Sequence, residues 1–260
     1  MGLQCMVGVE MIQEFYYGTS WKWPIQYLPR VMLSANVIKK LKSTWIMPER
    51  WMMDSGIGGM FKGKKRDLSI DEYALVLQKW HPPIAWSYDW PCEPGLRNTF
   101  HYSVKQAQDW TTENTIWLLE NYPVSSVIQG WDVDDYLRHI DDLKSHGLLT
   151  ERMGIGSICR RGQINKISRI IREIHRELPS WVKLHGFGVK ISILNTDAFH
   201  CLFSADSASW NMERRYYSWN ENNNKGLTWQ QKVPWLLSYI DRIESLIAPH
   251  PEQTLLEVEE

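Results

Sequence analysis

Val124-Ser125-Ser126-Val127-Ile128-Gln129, residues 132–146, Arg152-Met153-Gly154-Ile155-Gly156-Ser157, residues 161–178 and Val182-Lys183-Leu184-His185-Gly186-Phe187-Gly188 form one unbroken alternation along the chain. The named runs are short and apolar and end in glycine or polar residues, as buried strands do, whereas the segments between them carry a helical period. Within 161–178, Ile164, Ile167, Ile171, Ile174 and Leu178 recur three or four residues apart and so share one helix face. Strands separated by helices of this length pair in parallel through right-handed crossovers, since a tight hairpin joins only antiparallel strands. The stretch therefore implies an α/β fold.

Working outward, the same rhythm predicts further strands at 12–17, 31–34, 50–54, 84–89 and 200–206, which makes eight. Helical segments are expected at 69–80, where Asp71 and Glu72 suit a first turn, within 98–121, and at 229–247; shorter connections fall at 37–41 and 191–197. Eight such units in about 250 residues is the size of a (β/α)8 TIM barrel, and a single barrel domain over 1–260 is the expectation. Gly154-Ile155-Gly156 runs on into Ser157, Ile158 and Cys159 and lacks the third glycine of a dinucleotide-binding turn, which disfavours a doubly wound open sheet.

Composition narrows the classes. The 260 residues carry 29 Lys+Arg against 30 Asp+Glu, with 43% hydrophobic residues, which excludes collagen, disorder and long charged tails. Cys5, Cys92, Cys159 and Cys201 have no short spacing between them, so neither a disulfide framework nor a local metal clip is expected. No run approaches about 18 apolar residues, and a soluble cytoplasmic protein without membrane contact is predicted. Tryptophan is abundant, 15 against 6 Phe, and flat indole faces can pack in a core or line a groove for a sugar or nucleobase.

In a barrel, the carboxyl ends of the strands converge on one mouth. Asp54, Asp89 and Asp206 each end a predicted strand, and Gln129 ends another. Paired carboxylates can carry out displacement at an anomeric carbon, one attacking or stabilising the oxocarbenium-like centre while the other moves protons on the leaving or entering group. A third carboxylate is then free to accept hydrogen bonds from an N–H edge.

Met53-Asp54-Ser55-Gly56, Val127-Ile128-Gln129-Gly130, Met153-Gly154-Ile155-Gly156-Ser157 and His185-Gly186-Phe187-Gly188 resemble, in order, the Asp-Ser-Gly-Gly, Val-Gln-Gly, Ile-Gly-Gly and Met-Gly-Val-Gly motifs of the tRNA-guanine transglycosylase superfamily. Asp206-Ser207-Ala208-Ser209-Trp210 stands where that family has its nucleophile strand, and this ending and the short length resemble the branch acting on DNA, the 7-deazaguanine DNA transglycosylases. The resemblance implies Asp206 as the nucleophile on C1′ of a target guanosine and Asp54 as general acid/base. It implies Asp89 at the purine N–H edge, Gln129 at its carbonyl oxygen, the backbone near Ser157 and Ile158 at the 7-substituent, and Gly130, Gly156 and Gly186 as further substrate-binding positions. His185, beside Gly186, falls where the family's methionine packs on a purine face, or else is a hydrogen-bonded barrel histidine. Where the family places an aromatic ring four residues after the first aspartate, this chain has Gly58, so that either Met60 or Phe61 substitutes for it or the stack on the purine is altered.

The implied partners are DNA, presenting a flipped or single-stranded guanine, and a 7-deazaguanine base such as 7-cyano-7-deazaguanine. A net charge of −1 shows no global nucleic-acid footprint, but Lys62, Lys64, Lys65 and Arg66 follow strand three, Arg160 and Arg161 strand six, and Arg214 and Arg215 strand eight. These would form a phosphate-binding rim, and a partner protein could add to the grip. A tRNA-guanine transglycosylase, a glycoside hydrolase using the same carboxylates, and a binding-only barrel are the alternatives. No cofactor and no metal is expected. The superfamily's structural zinc cluster follows the nucleophile strand, whereas this chain has no cysteine after Asp206, and His200 and Cys201 would point to opposite faces of one strand.

Overall fold

The computed structural model describes residues 13–42, 46–159, 161–210 and 228–247. The strands β1 (Glu14–Thr19), β2 (Val31–Ser34), β3 (Trp51–Asp54), β4 (Ile84–Ala85), β5 (Ser126–Ile128), β6 (Arg152–Ile155), β7 (Lys183–Gly186) and β8 (Ser204–Ser207) pair in parallel in the order β4-β3-β2-β1-β8-β7-β6-β5. A parallel bridge between Trp86 and Ser125 joins the two ends, with Ser125 N–H donating to Ala85 O at 2.7 Å and Ser87 N–H to Ser125 O at 2.8 Å. The sheet thus closes as a (β/α)8 barrel.

The helices are α1 (Ala35–Ile38), α2 (Ile70–Trp80), α3 (Pro94–Phe100), α4 (Val104–Leu119), α5 (Val133–Ser145), α6 (Ile164–Glu177) and α7 (Trp229–Ile247). Reciprocal capping boxes start two of them: Ser69 with Glu72 on α2, and Ser103 with Gln106 on α4. The predicted helical region 98–121 is two helices, because His101 takes a left-handed conformation that ends α3 before Ser103 caps α4. Helix α7 lays Leu236, Tyr239, Ile240, Ile243 and Ile247 into the core. Its Glu244 accepts two hydrogen bonds from Arg30 Nη2, at 2.5 and 2.6 Å, and one from Tyr17 Oη at 2.8 Å, which tie the helix to β1 and the loop before β2. No helix among the described residues is long and apolar enough to cross a membrane.

Most of the strands are shorter than the runs predicted for them, and two show why. The run 84–89 leaves the sheet after the bridge, because Asp89 N–H turns back onto Ser87 O at 3.0 Å. Residues 200–201 belong to a 3-10 turn, Asp197–Cys201, and the strand begins only at Ser204. His200 and Cys201 are therefore not strand neighbours, and the alternation argued for them does not hold. Ile12, expected to open β1, lies outside the described residues.

The two-residue period of the strands sorts the core. Tyr17, Leu33, Met53 and Ile128 face outward under the helices, while Tyr16, Met32, Met52, Trp86 and Val127 meet inside the barrel. Asp54 lies two residues beyond Met52, Gln129 two beyond Val127, and Asp206 pairs with Tyr16 across β1 and β8. Strand parity alone thus turns these three polar side chains inward, above an apolar plug.

Candidate active site

Asp206 is buried on β8, and its Oδ1 is held twice: Gly188 N–H donates to it at 2.9 Å, and His185 Nε2 faces it at 3.3 Å. Ser204 Oγ, which can donate or accept, sits 2.9 Å from His185 Nδ1, and because a carboxylate oxygen only accepts, the contact with Asp206 is a hydrogen bond when the ring proton is on Nε2. Among the described residues Oδ2 takes no hydrogen bond. His185 has no exposed surface, packs 4.8 Å from the Trp86 ring and is hydrogen-bonded within the barrel.

Asp54, at the end of β3, accepts a 2.7 Å hydrogen bond from Gly56 N–H, and Gly56 makes this turn with φ +86. Asn36 Nδ2 holds the Gly56 carbonyl at 2.7 Å, and a Cβ on Gly56 would fall 2.8 Å from that nitrogen. Burial raises the Asp54 pKa from 3.8 to about 6, with the Asp206 and Asp89 charges adding and the Gly56 and Ser34 hydrogen bonds opposing. The mouth therefore holds a carboxyl whose pKa is raised toward neutrality and a second carboxyl group, that of Asp206, with one oxygen unoccupied among the described residues.

Asp89, Gln129 and Ser157 form one chain of hydrogen bonds. Ser55 Oγ donates to Asp89 Oδ1 at 2.7 Å, Gln129 Nε2 donates to Asp89 Oδ2 at 2.6 Å, and Ser157 Oγ lies 2.8 Å from Gln129 Oε1. The Gln129 backbone N–H donates to His139 Nδ1 at 2.8 Å, and Gln108 Nε2 donates to the Gln129 carbonyl at 2.7 Å. Ser157 has φ +56, a conformation that costs a non-glycine residue about 1–3 kcal/mol. Its hydroxyl accepts from Cys92 N–H at 2.7 Å, and Arg161 Nε donates to its carbonyl at 2.9 Å; together these contacts offset that strain. Glycine is required beside this chain, since a Cβ on Gly156 would stand 2.2 Å from Gln129 Nε2. A Cβ on Gly130 would fall 2.8 Å from Tyr136 and one on Gly186 2.5 Å from Val189, and Ile158 is buried in the outer core.

Two residues expected on a phosphate-binding rim are turned inward instead. Arg66 donates to the Asp89 carbonyl at 2.5 Å and to Ser55 Oγ at 2.6 Å, with its guanidinium 3.4 Å from the Tyr88 ring centroid. Arg161 is buried over the Trp131 ring at 3.9 Å while it holds Ser157. Guanidinium stacks and donates more readily than ammonium, which is why Arg66 and Arg161 fold back while Lys64 and Lys65 do not. Lys64 and Lys65 remain exposed, Lys62 closes the 3-10 turn Ile57–Lys62, and Arg160, Arg214 and Arg215 lie outside the described residues. Met60 is buried against Cys92, Leu96 and Tyr102, with Phe61 at the edge of that cluster, so Met60 is not open to stack on a base.

Sequence reading missed Ser55, Gln108, Glu93 and His139. Ser55 and Glu93 sit next to or four residues after a candidate aspartate, which was the available signal; His139 is hidden in the apolar stripe of α5.

No curated protein matches the chain. Residues 11–256, which hold every strand of the barrel and every carboxylate above, match the family described as DpdA, DeoxyPurine in DNA protein A. The chain therefore belongs to the DpdA family, the DNA-acting branch of the superfamily its motifs resemble.

Proposed function

We propose that this barrel replaces guanine in DNA by a 7-deazaguanine base through a covalent aspartyl-nucleoside intermediate. Family membership implies a DNA 7-deazaguanine transglycosylase-like function. The observation that carries the finer reading is the contrast between Asp206, pinned at one oxygen and free at the other, and Asp54, raised to about 6.

In the first half-reaction Asp206 Oδ2 attacks C1′, the C1′–N9 bond breaks, and protonated Asp54 gives its proton to the departing guanine. In the second, the Asp54 carboxylate takes the N9 proton of the incoming base, N9 attacks C1′, and the C1′–O bond to Asp206 breaks. Proton and charge return to their starting places, so no cofactor is consumed. Asp89 accepts from the N–H edge of the base, because each of its oxygens keeps a lone pair beyond the bonds from Ser55 and Gln129. Gln129 and Gly130 serve the carbonyl oxygen, and Gly156, Ser157 and Ile158 the 7-substituent, for which 7-cyano-7-deazaguanine is the probe. A duplex guanine reaches such a mouth only when flipped or single-stranded, and Lys62, Lys64 and Lys65 follow the Asp54 turn where the DNA backbone would pass.

The test is incorporation of labelled base into DNA and into tRNA in parallel, with denaturing gels for the adduct. Asp206→Asn should abolish the adduct; an adduct that survives denaturation in that variant, or faster incorporation into tRNA, would refute the proposal.

A further inference from the structure

Glu93 lies in the loop between β4 and α3 and is buried, yet its Oε1 has no hydrogen-bond partner. Its Oε2 lies 2.8 Å from Ser157 Oγ. That hydroxyl has three close neighbours: Cys92 N–H at 2.7 Å, Glu93 Oε2 at 2.8 Å and Gln129 Oε1 at 2.8 Å. A serine hydroxyl has one proton to donate, and Cys92 N–H already takes one of its lone pairs. If Glu93 were ionised, both remaining neighbours would be acceptors and only one could be satisfied.

Reversing the Gln129 amide moves the conflict without removing it, since Gln129 would then set Oε1 against Asp89 Oδ2 across the 2.6 Å contact. The four-residue chain from Glu93 to Asp89 therefore needs one carboxyl proton. Asp89 is the poorer place for it. Ser55 donates to its other oxygen, and Arg66 donates both to Ser55 and to the Asp89 backbone carbonyl, so a cation supports the charged form.

We propose that Glu93 is a neutral carboxylic acid whose proton, donated to Ser157 and relayed to Gln129 Oε1, fixes the Gln129 amide with its N–H toward Asp89 and so keeps Asp89 an anionic acceptor for the base. Glu93 is a positioning residue in this scheme, and its role in base binding rests on the function proposed above. Its bare Oε1 agrees, because a neutral acid loses less than a carboxylate by leaving an oxygen unsolvated. Burial also raises its pKa, with the charge of Asp89 adding and the hydrogen bonds of Ser157 and of its own backbone N–H and the charge of Arg161 opposing; Cys92, Tyr102 and Tyr136 are the other titratable groups that face it.

The test uses three variants and two readouts. The infrared carbonyl band of a protonated carboxylic acid should be present in the free protein at pH 7.5, above the Asp54 transition, and absent from Glu93→Gln. A band that persists there and disappears in Asp89→Asn overturns the proposal, as does no band. Calorimetric binding of 7-cyano-7-deazaguanine should weaken about 10- to 100-fold in Glu93→Ala, the scale of losing a buried hydrogen bond to a charged network. Binding by Glu93→Gln should stay within about 3-fold of wild type, because its amide N–H supplies the same donor. Equal loss in both variants overturns the proposal, since it would mean that charge, not the donated proton, matters. A wild-type protein that shows the band but binds no base would defeat the proposed function and leave the proton on Glu93 in place.

Discussion

Replacing Asp54 by Asn should make the protein more stable at alkaline pH while disabling exchange. The carboxylate is raised from 3.8 to about 6 chiefly by burial and by the charges of Asp206 and Asp89, so folding forces an anion into an unfavourable place. Below about pH 4 both folded and unfolded chains hold the proton and nothing is lost. Above about pH 6 both are ionised and the whole difference applies, so wild-type stability falls as pH rises between these limits. The interval corresponds to about 3 kcal/mol, an upper bound because Asp54 remains partly open to the mouth. Asparagine keeps an acceptor for Gly56 N–H and carries no charge, so the variant should gain up to that amount at pH 8 and little at pH 4. For a domain of this size the gain corresponds to a rise of up to about 6–10 °C in Tm. Urea and thermal melts of the two proteins at pH 4 and pH 8 measure it directly, and exchange assays on the same samples should show about 10²- to 10⁴-fold slower turnover. A variant less stable than wild type at pH 8, or an equal gain at both pH values, would refute the electrostatic account of the mouth.

Gly156→Ala should displace the Gln129 amide that the new Cβ would strike, raising KM for the incoming base more than it lowers Tm; unchanged KM would show that Gln129 has room to move. Buried His139 has its pKa lowered from 6.5 to about 4, so the folded state resists the proton that the unfolded chain accepts. Stability should therefore drop by up to about 3 kcal/mol as pH falls from about 6.5 to about 4, and His139→Gln should remove that slope in a pH series of melts. Elemental analysis of purified protein should give well under one zinc per chain, with chelator leaving Tm and exchange unchanged; stoichiometric zinc would overturn the metal-free expectation.

Much of the architecture is local in origin and hence legible before any coordinates. The apolar face of 161–178 and the capping residues Ser69 and Ser103 need only their own neighbours to act, and the parallel strands follow from the lengths of the segments between them. The approach of Asp54 and Asp206 to one mouth was also legible, because a closed barrel turns strand ends to one side, whereas Asp89 reaches it from the loop after β4. What the sequence could not determine depends on competition between distant groups. Arg66 and Lys65 are adjacent in one basic run, and only the position of Ser55, Tyr88 and Asp89 across the mouth draws the guanidinium inward while the ammonium stays in water. His185 could face a ligand or a barrel partner until β8 placed Ser204 and Asp206 on either side of its ring. Glu93 lies in sequence between Pro91 and Pro94 with nothing local to mark it, and its protonation is decided by a serine 64 residues away, because a hydrogen-bond chain must balance donors and acceptors over its whole length. A residue's type and its sequence neighbours set which element it joins; which proton it holds is set by groups that only the closed barrel brings within reach.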